Sequence, residues 1–320
     1  RMSAEGQAAA SDIGRDPIER ALASLDIDGR ILRIDLNQAD WDGGPVRIDK
    51  AHLLGEHLLL ESDGEEPWLY ALQREGLTPR WRSDMVEPSL FGVSESPEMA
   101  LVVTQHYLYA FEKRTGRRGM QFVSGALAGL RRPPMRLPFS PTGGAAGTSD
   151  SVYLPSLGSP DSNKNLEAFS LITGARGWGY RAPGEIRLSP VVAGDIGDPK
   201  LYFVSDQGTV TCLDATNYGR LPEGERWQVL LDAPCDQPFF VTGDTAAQVG
   251  SVYLVDVDGV VYALNRITGE RRWVNPTGRA PAGGPEVFGD LCIVRMQDGL
   301  IAYDANNVLY RVRVESGPDA

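Results

Sequence analysis

One string in this chain constrains its fold more than any other. Residues Val252 to Asn265 read Val-Tyr-Leu-Val-Asp-Val-Asp-Gly-Val-Val-Tyr-Ala-Leu-Asn, followed by Thr268-Gly269 and then Trp273. This is an apolar strand, an Asp-Gly turn, a second strand, a Thr-Gly turn and a short strand opened by an indole. The Asp-Gly and Thr-Gly pairs supply the left-handed backbone positions that tight antiparallel connections need. Both faces of the second strand are mostly apolar, which suits a sheet stacked between neighbours rather than one with a wet side.

The string recurs. With Ala263 as marker, Trp273 follows ten residues later, and Ala71 to Trp81 and Ala168 to Trp178 keep that spacing. Cys212 to Trp227 is the same unit with a five-residue insertion around Tyr218 to Pro222. Ala110 reaches Met120 and Ala302 reaches Val312, which keep the apolar character without the indole. Asp28 to Asp35 matches Asp258 to Asn265, with Trp41 near the indole position. The markers fall at 33, 71, 110, 168, 212, 263 and 302, a period near 40 interrupted by three insertions. About four strands per unit at that period is the signature of propeller blades, whose two apolar faces are buried only by stacking. In the fourth copy the strands read Leu188–Val192, Lys200–Ser205, Thr209–Asp214 and Glu225–Leu230 from the innermost outward.

The expectation is therefore an all-β propeller of four-stranded blades, about seven in number: six complete units beginning near residues 51, 86, 136, 187, 237 and 284, and one partial. The partial unit is N-terminal and shows only its last two strands, between Ile31 and Ile48. The propeller spans 28–316, preceded by an extension, 1–27, and followed by a short tail, 317–320. Within the extension, Asp16 to Leu25 reads as a short helix with Asp16 as N-cap and Pro17 at the first helical position. An incomplete first blade also fits a chain that is one part of a longer polypeptide.

The motif Gly-x-Val-Tyr-Ala-Leu-Asn-x-x-Thr-Gly-x-x-x-Trp resembles the repeat of the pyrroloquinoline quinone (PQQ)-like propellers, and the resemblance covers residues 28 to 315. It implies that Trp81, Trp178, Trp227 and Trp273 dock each blade against its neighbour, near the peptide at a glycine. Two functional classes share this repeat. Quinoprotein dehydrogenases hold PQQ and Ca²⁺ at the propeller centre, are usually much longer, and many carry a vicinal Cys-Cys pair. Binding propellers of the BamB-like branch, typified by the lipoprotein of the outer-membrane β-barrel assembly machinery, keep the repeat without the cofactor residues and present loops to other proteins. This sequence is similar to the second class. The resemblance implies a non-enzymatic protein-interaction module without cofactor, extracytoplasmic or periplasmic, in cell-envelope assembly. A quinoprotein-type oxidoreductase with a central PQQ/Ca²⁺ site, or a ligand-sensing domain of a larger protein, are the alternatives.

Composition narrows the partners. Asp plus Glu outnumber Lys plus Arg by 43 to 31, a formal charge of −12, which disfavours phosphate-directed nucleic-acid binding and attraction to anionic lipid. No apolar run has the length of a membrane helix. No apolar signal region opens the chain, so any targeting signal would lie outside it. Cys212, Cys235 and Cys292 are far apart, which argues against a disulfide framework, and Cys212 and Cys292 sit in apolar runs as small hydrophobes. His52 and His57 bracket a strand turn and point to opposite faces, and with His106 they make no metal set. Asp161 to Asn165 and Asp256-x-Asp258-Gly259 only faintly resemble calcium loops, the second being a hairpin turn. Thr142 to Gly147 lacks the Lys-Ser or Lys-Thr of a phosphate loop.

The insertions carry more information. One, Ser124 to Met135, reads as a connection joining two blades. It is apolar and basic in an acidic protein, with Leu127, Leu130, Arg131, Arg132 and Met135. Loops hold function more often than scaffold strands do, so these five residues form the expected partner-binding surface. The other, Leu157 to Asn165, reads as a polar tip between two strands of the third unit.

Overall fold

The computed structural model describes residues 48–64, 67–118, 134–158, 164–194, 197–244, 249–288, 291–304 and 309–312. All regular structure among them is β, in six four-stranded antiparallel sheets of sequential order. The chain divides into two compact units, 1–136 and 137–320.

The first unit holds two blades. One is β1 (Ile48–Leu54), β2 (His57–Ser62), β3 (Trp68–Gln73) and β4 (Pro79–Asp84); the other is β5 (Val93–Glu95), β6 (Met99–Val103), β7 (Tyr107–Glu112) and β8 (Met135–Arg136). Alternate residues of facing strands form a shared core: Leu59, Leu69, Ala71 and Trp81 meet Ala100, Val102, Tyr109 and Phe111. This is the two-sided burial that the apolar runs predict.

The second unit holds four blades. They are β9 (Ala146–Gly147), β10 (Ser151–Pro155), β11 (Leu166–Ser170) and β12 (Arg176–Tyr180); β13 (Val191–Ala193), β14 (Lys200–Val204), β15 (Thr209–Asp214) and β16 (Glu225–Leu230); β17 (Phe240–Val241), β18 (Ser251–Val255), β19 (Val260–Asn265) and β20 (Arg271–Pro276); and β21 (Pro281–Phe288), β22 (Leu291–Met296), β23 (Gly299–Asp304) and β24 (Leu309–Val312). Each interior between successive sheets is a separate apolar cluster. Strands β14 to β16 match their sequence reading to within a residue, and the innermost strand starts three residues later than expected. Ile48 belongs to the first described blade, paired with Ser62, rather than to the partial one. The rest of that partial blade, the 16–25 helix and the tail lie outside the described residues.

The four tryptophans occupy equivalent, buried positions, between 6% and 9% exposed. Trp81, Trp227 and Trp273 stand opposite Ala71, Cys212 and Ala263 on the third strands. Each of three indoles donates Nε1–H to a backbone carbonyl in the turn after the next blade's third strand: Trp81 to Lys113 (2.6 Å), Trp178 to Asn217 (3.2 Å) and Trp227 to Arg266 (3.0 Å). A side chain on Gly116 or Gly269 would collide with the ring of Trp81 or Trp227, so the Thr-Gly turn is glycine because an indole lies on it. Trp273 Nε1 has no partner among the described residues; the position equivalent to Arg266 is Ala305, outside them.

The long insertion requires a correction. It was expected to join two blades, but Met135 and Arg136 pair with Leu108 and Tyr107 as the outermost strand of the second described blade. Arg118 already bridges Phe111 on the same strand. Residues 119–133 therefore interrupt an outer strand within one blade, and the third blade starts later than residue 136. Two prolines before Met135 read as a linker, and a pairing of two residues after so long a gap leaves no periodic trace. The second insertion does lie between β10 and β11, with 159–163 outside the described residues.

Candidate interaction surface

Of the five residues expected to contact a partner, Leu127, Leu130, Arg131 and Arg132 lie outside the described residues. Met135 is 7% exposed in β8 and faces the interior. Its apolar side chain is a core contact, and it leaves the candidate surface.

A different surface emerges from the connection between β4 and β5. Residues 85–92 read Met-Val-Glu-Pro-Ser-Leu-Phe-Gly and alternate in burial from Met85 to Leu90. Met85 and Ser89 are buried, while Val86, Pro88, Leu90 and Phe91 are exposed, Val86 and Leu90 by about half of their surface (52% and 51%). Most large apolar side chains here are buried, so three of them beside a proline on one short segment stand out.

What holds the segment in this orientation is a set of buried polar groups. Glu61 on β2 is 1% exposed and aims both carboxylate oxygens at Ser89, accepting from its amide at 2.7 Å and from its hydroxyl. Lys50 on β1 donates to the Ser89 carbonyl (2.6 Å) and hydroxyl (3.1 Å). The Met85, Val86 and Leu90 amides donate to the Pro67 carbonyl, the Tyr109 hydroxyl and the Val103 carbonyl. Arg118 reaches from the second blade to Asp84, ion-paired at 3.0 Å, and lies over the Tyr109 ring.

Glu87 accepts from the Thr104 hydroxyl (2.7 Å) and the His106 amide (3.0 Å), and sits 2.7 Å from His106 Nδ1. Burial opposes ionisation of Glu87, but these hydrogen bonds outweigh it and hold its carboxyl below the ordinary carboxylate value. Gly92 has φ +74°, and a Cβ there would come 2.7 Å from the His52 ring. Burial pushes His52 below its ordinary value and outweighs the attraction of Glu61, so the imidazole is neutral at pH 7.

Sequence reasoning placed residues near 86 at the start of a blade and saw nothing in them. The alternation Val86-x-Pro88-x-Leu90 was available, but the pins come from Glu61, Thr104 and Tyr109, which only folding brings to the segment.

Among the described residues no group of three His, Cys, Asp or Glu side chains is placed to hold a metal. Three buried carboxylates are already occupied by the protein: Glu61 by Ser89, Glu167 by Nε and Nη2 of Arg176, and Asp256 by the Tyr262 hydroxyl and its own hairpin amides. The three cysteines are buried and free, and burial raises each thiol to about 12.

Residues 31–275 match the family described as outer membrane protein assembly factor BamB. The chain belongs to the BamB family of PQQ-like propellers. Structural likeness agrees with this membership at the level of fold. BamB from Moraxella catarrhalis is 19% identical, with a TM-score of 0.50 over 80% of this chain and 72% of that one. BBS1N, solved in complex with ARL6DN, is 12% identical with a TM-score of 0.52, covering 81% of this chain and 77% of that one. AztD from Citrobacter koseri is 12% identical at a TM-score of 0.52, covering 84% and 72%. No curated protein matches the chain by sequence.

Proposed function

We propose that this BamB-family propeller is a non-enzymatic scaffold that binds another protein, in an extracytoplasmic compartment and in cell-envelope assembly. The observation that carries the reading is the 85–92 segment, whose polar side chains Glu87 and Ser89 are bonded to the fold while Val86, Pro88, Leu90 and Phe91 are exposed. A pre-ordered loop loses little entropy on binding, so its exposed side chains act as ready anchors. Family membership supports the same reading, because the matching family is named for an assembly factor. The 119–133 excursion, with Leu127, Leu130, Arg131 and Arg132, is a second contact candidate, in which arginine beside apolar residues has hot-spot composition. No helix among the described residues is long and apolar enough to cross a membrane.

The test is capture of partners by the intact protein, compared with Leu90→Asp and with Arg131→Glu/Arg132→Glu. Each variant is expected to weaken the partner by more than about 1.4 kcal/mol, a factor of ten. Unchanged affinity in both removes both surfaces. Calorimetric titration with PQQ and Ca²⁺ addresses the enzymatic alternative, and a stoichiometric complex would overturn the scaffold reading.

A further inference from the structure

The C-terminal end of the 85–92 segment rests on a titratable ring. A side chain at Gly92 would meet His52 Cε1 at 2.7 Å, so the backbone there lies directly against the imidazole. His52 Nε2 is buried and has no hydrogen-bond partner among the described residues. A neutral imidazole tolerates this, because one of its nitrogens is a bare acceptor. The imidazolium does not, because both nitrogens then carry hydrogens and the buried one lacks an acceptor.

The charges around the ring do not offset that cost. Lys50, two residues away on the same face of β1, repels a second cation. Glu61 on β2 attracts it, but both Glu61 oxygens bond to Ser89 and the carboxylate already lies 3.8 Å from Lys50. Asp49 pairs with Lys50 at 3.7 Å. Glu87 on the segment is engaged by Thr104 and His106, and Glu95 on β5 by Lys113. A proton on His52 therefore either stays unpaired or draws Glu61 away from Ser89. The first outcome drives the ring off Gly92, and the second breaks the Ser89 pin.

We infer that His52 is an acid-sensitive catch for the 85–92 segment, closed while the ring is neutral and released when the ring takes a proton. The sign follows from linkage. Opening frees the ring to titrate near its ordinary value of 6.5, whereas the closed fold holds it lower. The catch is thus complete above about pH 6.5. Below that it weakens by up to about tenfold per pH unit, until the closed form is itself protonated. His106 acts in the opposite direction, since its proton adds an ion pair with Glu87 at 2.7 Å. What is gated is the order of the segment, so this holds whether or not 85–92 binds a partner.

Hydrogen exchange of the full chain tests it, in a His106→Gln background that removes the opposing histidine. There the opening constant of the Ser89 and Leu90 amides, corrected for intrinsic exchange, should rise by up to about tenfold from pH 7.5 to 5.5. In His52→Phe/His106→Gln, where an apolar ring fills the same space, it should stay flat. His57, at the other end of β2, is common to both variants. A flat profile in the first variant, or the same rise in the second, overturns the inference. So does an equal rise at the Tyr218 amide, which bonds to Ser151 in the second unit and reports general loosening. Should His52→Phe not fold, imidazole NMR of the His106→Gln protein decides. The His52 ring should titrate below 6.5 and the Gly92 amide should shift with the same midpoint; a Gly92 resonance indifferent to that midpoint overturns the catch.

Discussion

Two connections among the described residues, 85–92 and 215–224, use their polar groups in opposite ways. Residues 215–224, after β15, carry the five-residue insertion seen in the repeat around Tyr218 to Pro222. There the backbone reaches outward to the preceding blade: the Thr216 carbonyl accepts from the Tyr153 hydroxyl, Asn217 from the Trp178 indole, and Tyr218 from the Trp178 amide. Asn217 donates to Asp150, and the Tyr218 amide donates to the Ser151 hydroxyl. That insertion is a latch. Residues 85–92 also touch two blades, but every pin runs inward to the blades beneath, and what faces outward is apolar. A loop on this scaffold thus strengthens blade docking when its backbone groups face the neighbouring sheet, and displays side chains when they face its own base.

The contrast can be broken from the latch side with the largest effect. Trp178→Ala removes a buried indole and orphans the Asn217 carbonyl, and should cost about 3 to 5 kcal/mol in denaturant unfolding. Trp273→Ala should fall in the same range, and a loss below about 1 kcal/mol would mean that the indole is not a docking element. Gly177→Ala comes next. Its new Cβ would lie 1.7 Å from the Tyr218 carbonyl oxygen, so the latch must lift, at about 1 to 3 kcal/mol. If the melting temperature is unchanged, 215–224 is an ornament rather than a latch.

On the display side, Glu61→Ala leaves the buried Ser89 amide without its acceptor and should cost about 1 to 3 kcal/mol. Hydrogen exchange should show faster opening of 85–92 but an unaffected latch; uniform loosening of both would deny that the segment is pinned separately. Acid should act on the same segment. Glu87 titrates below its ordinary value, so its contribution is complete above about pH 4.5 and is lost as pH falls through the lowered value. Thr104→Val, which removes one donor to Glu87, should blunt that response. The smallest stability effect is expected for Leu90→Asp, within about 0.5 kcal/mol, because its side chain is half exposed. A large loss there would show that Leu90 supports the fold.

Much of the architecture was legible in the chain itself. The marker-to-indole spacing of ten residues, lengthened by five at Trp227, placed Trp81, Trp178, Trp227 and Trp273 in buried, equivalent positions, and the Thr-Gly pairs marked the turns on which Trp81 and Trp227 rest. These features are local or periodic: alternation, turn chemistry and a repeat that recurs in one dimension. The insertion at Tyr218 was visible too, but its role was not, since its partners Asp150, Ser151 and Tyr153 are more than sixty residues away. Met135 was assigned to a surface because it closes an apolar, basic insertion; only its pairing with Leu108 reveals a core residue.

The display segment shows the division most clearly. Val86, Leu90 and Phe91 are ordinary core residue types, and hydropathy alone would bury them. Whether they are inside or outside was decided by Glu61, Lys50, Thr104 and Tyr109, which capture the polar positions between them from two blades at once. Sequence period thus determined the blades, because burial of a two-faced sheet repeats with the chain. The exposed surface was left to the tertiary structure, because it depends on long-range hydrogen bonds that have no period.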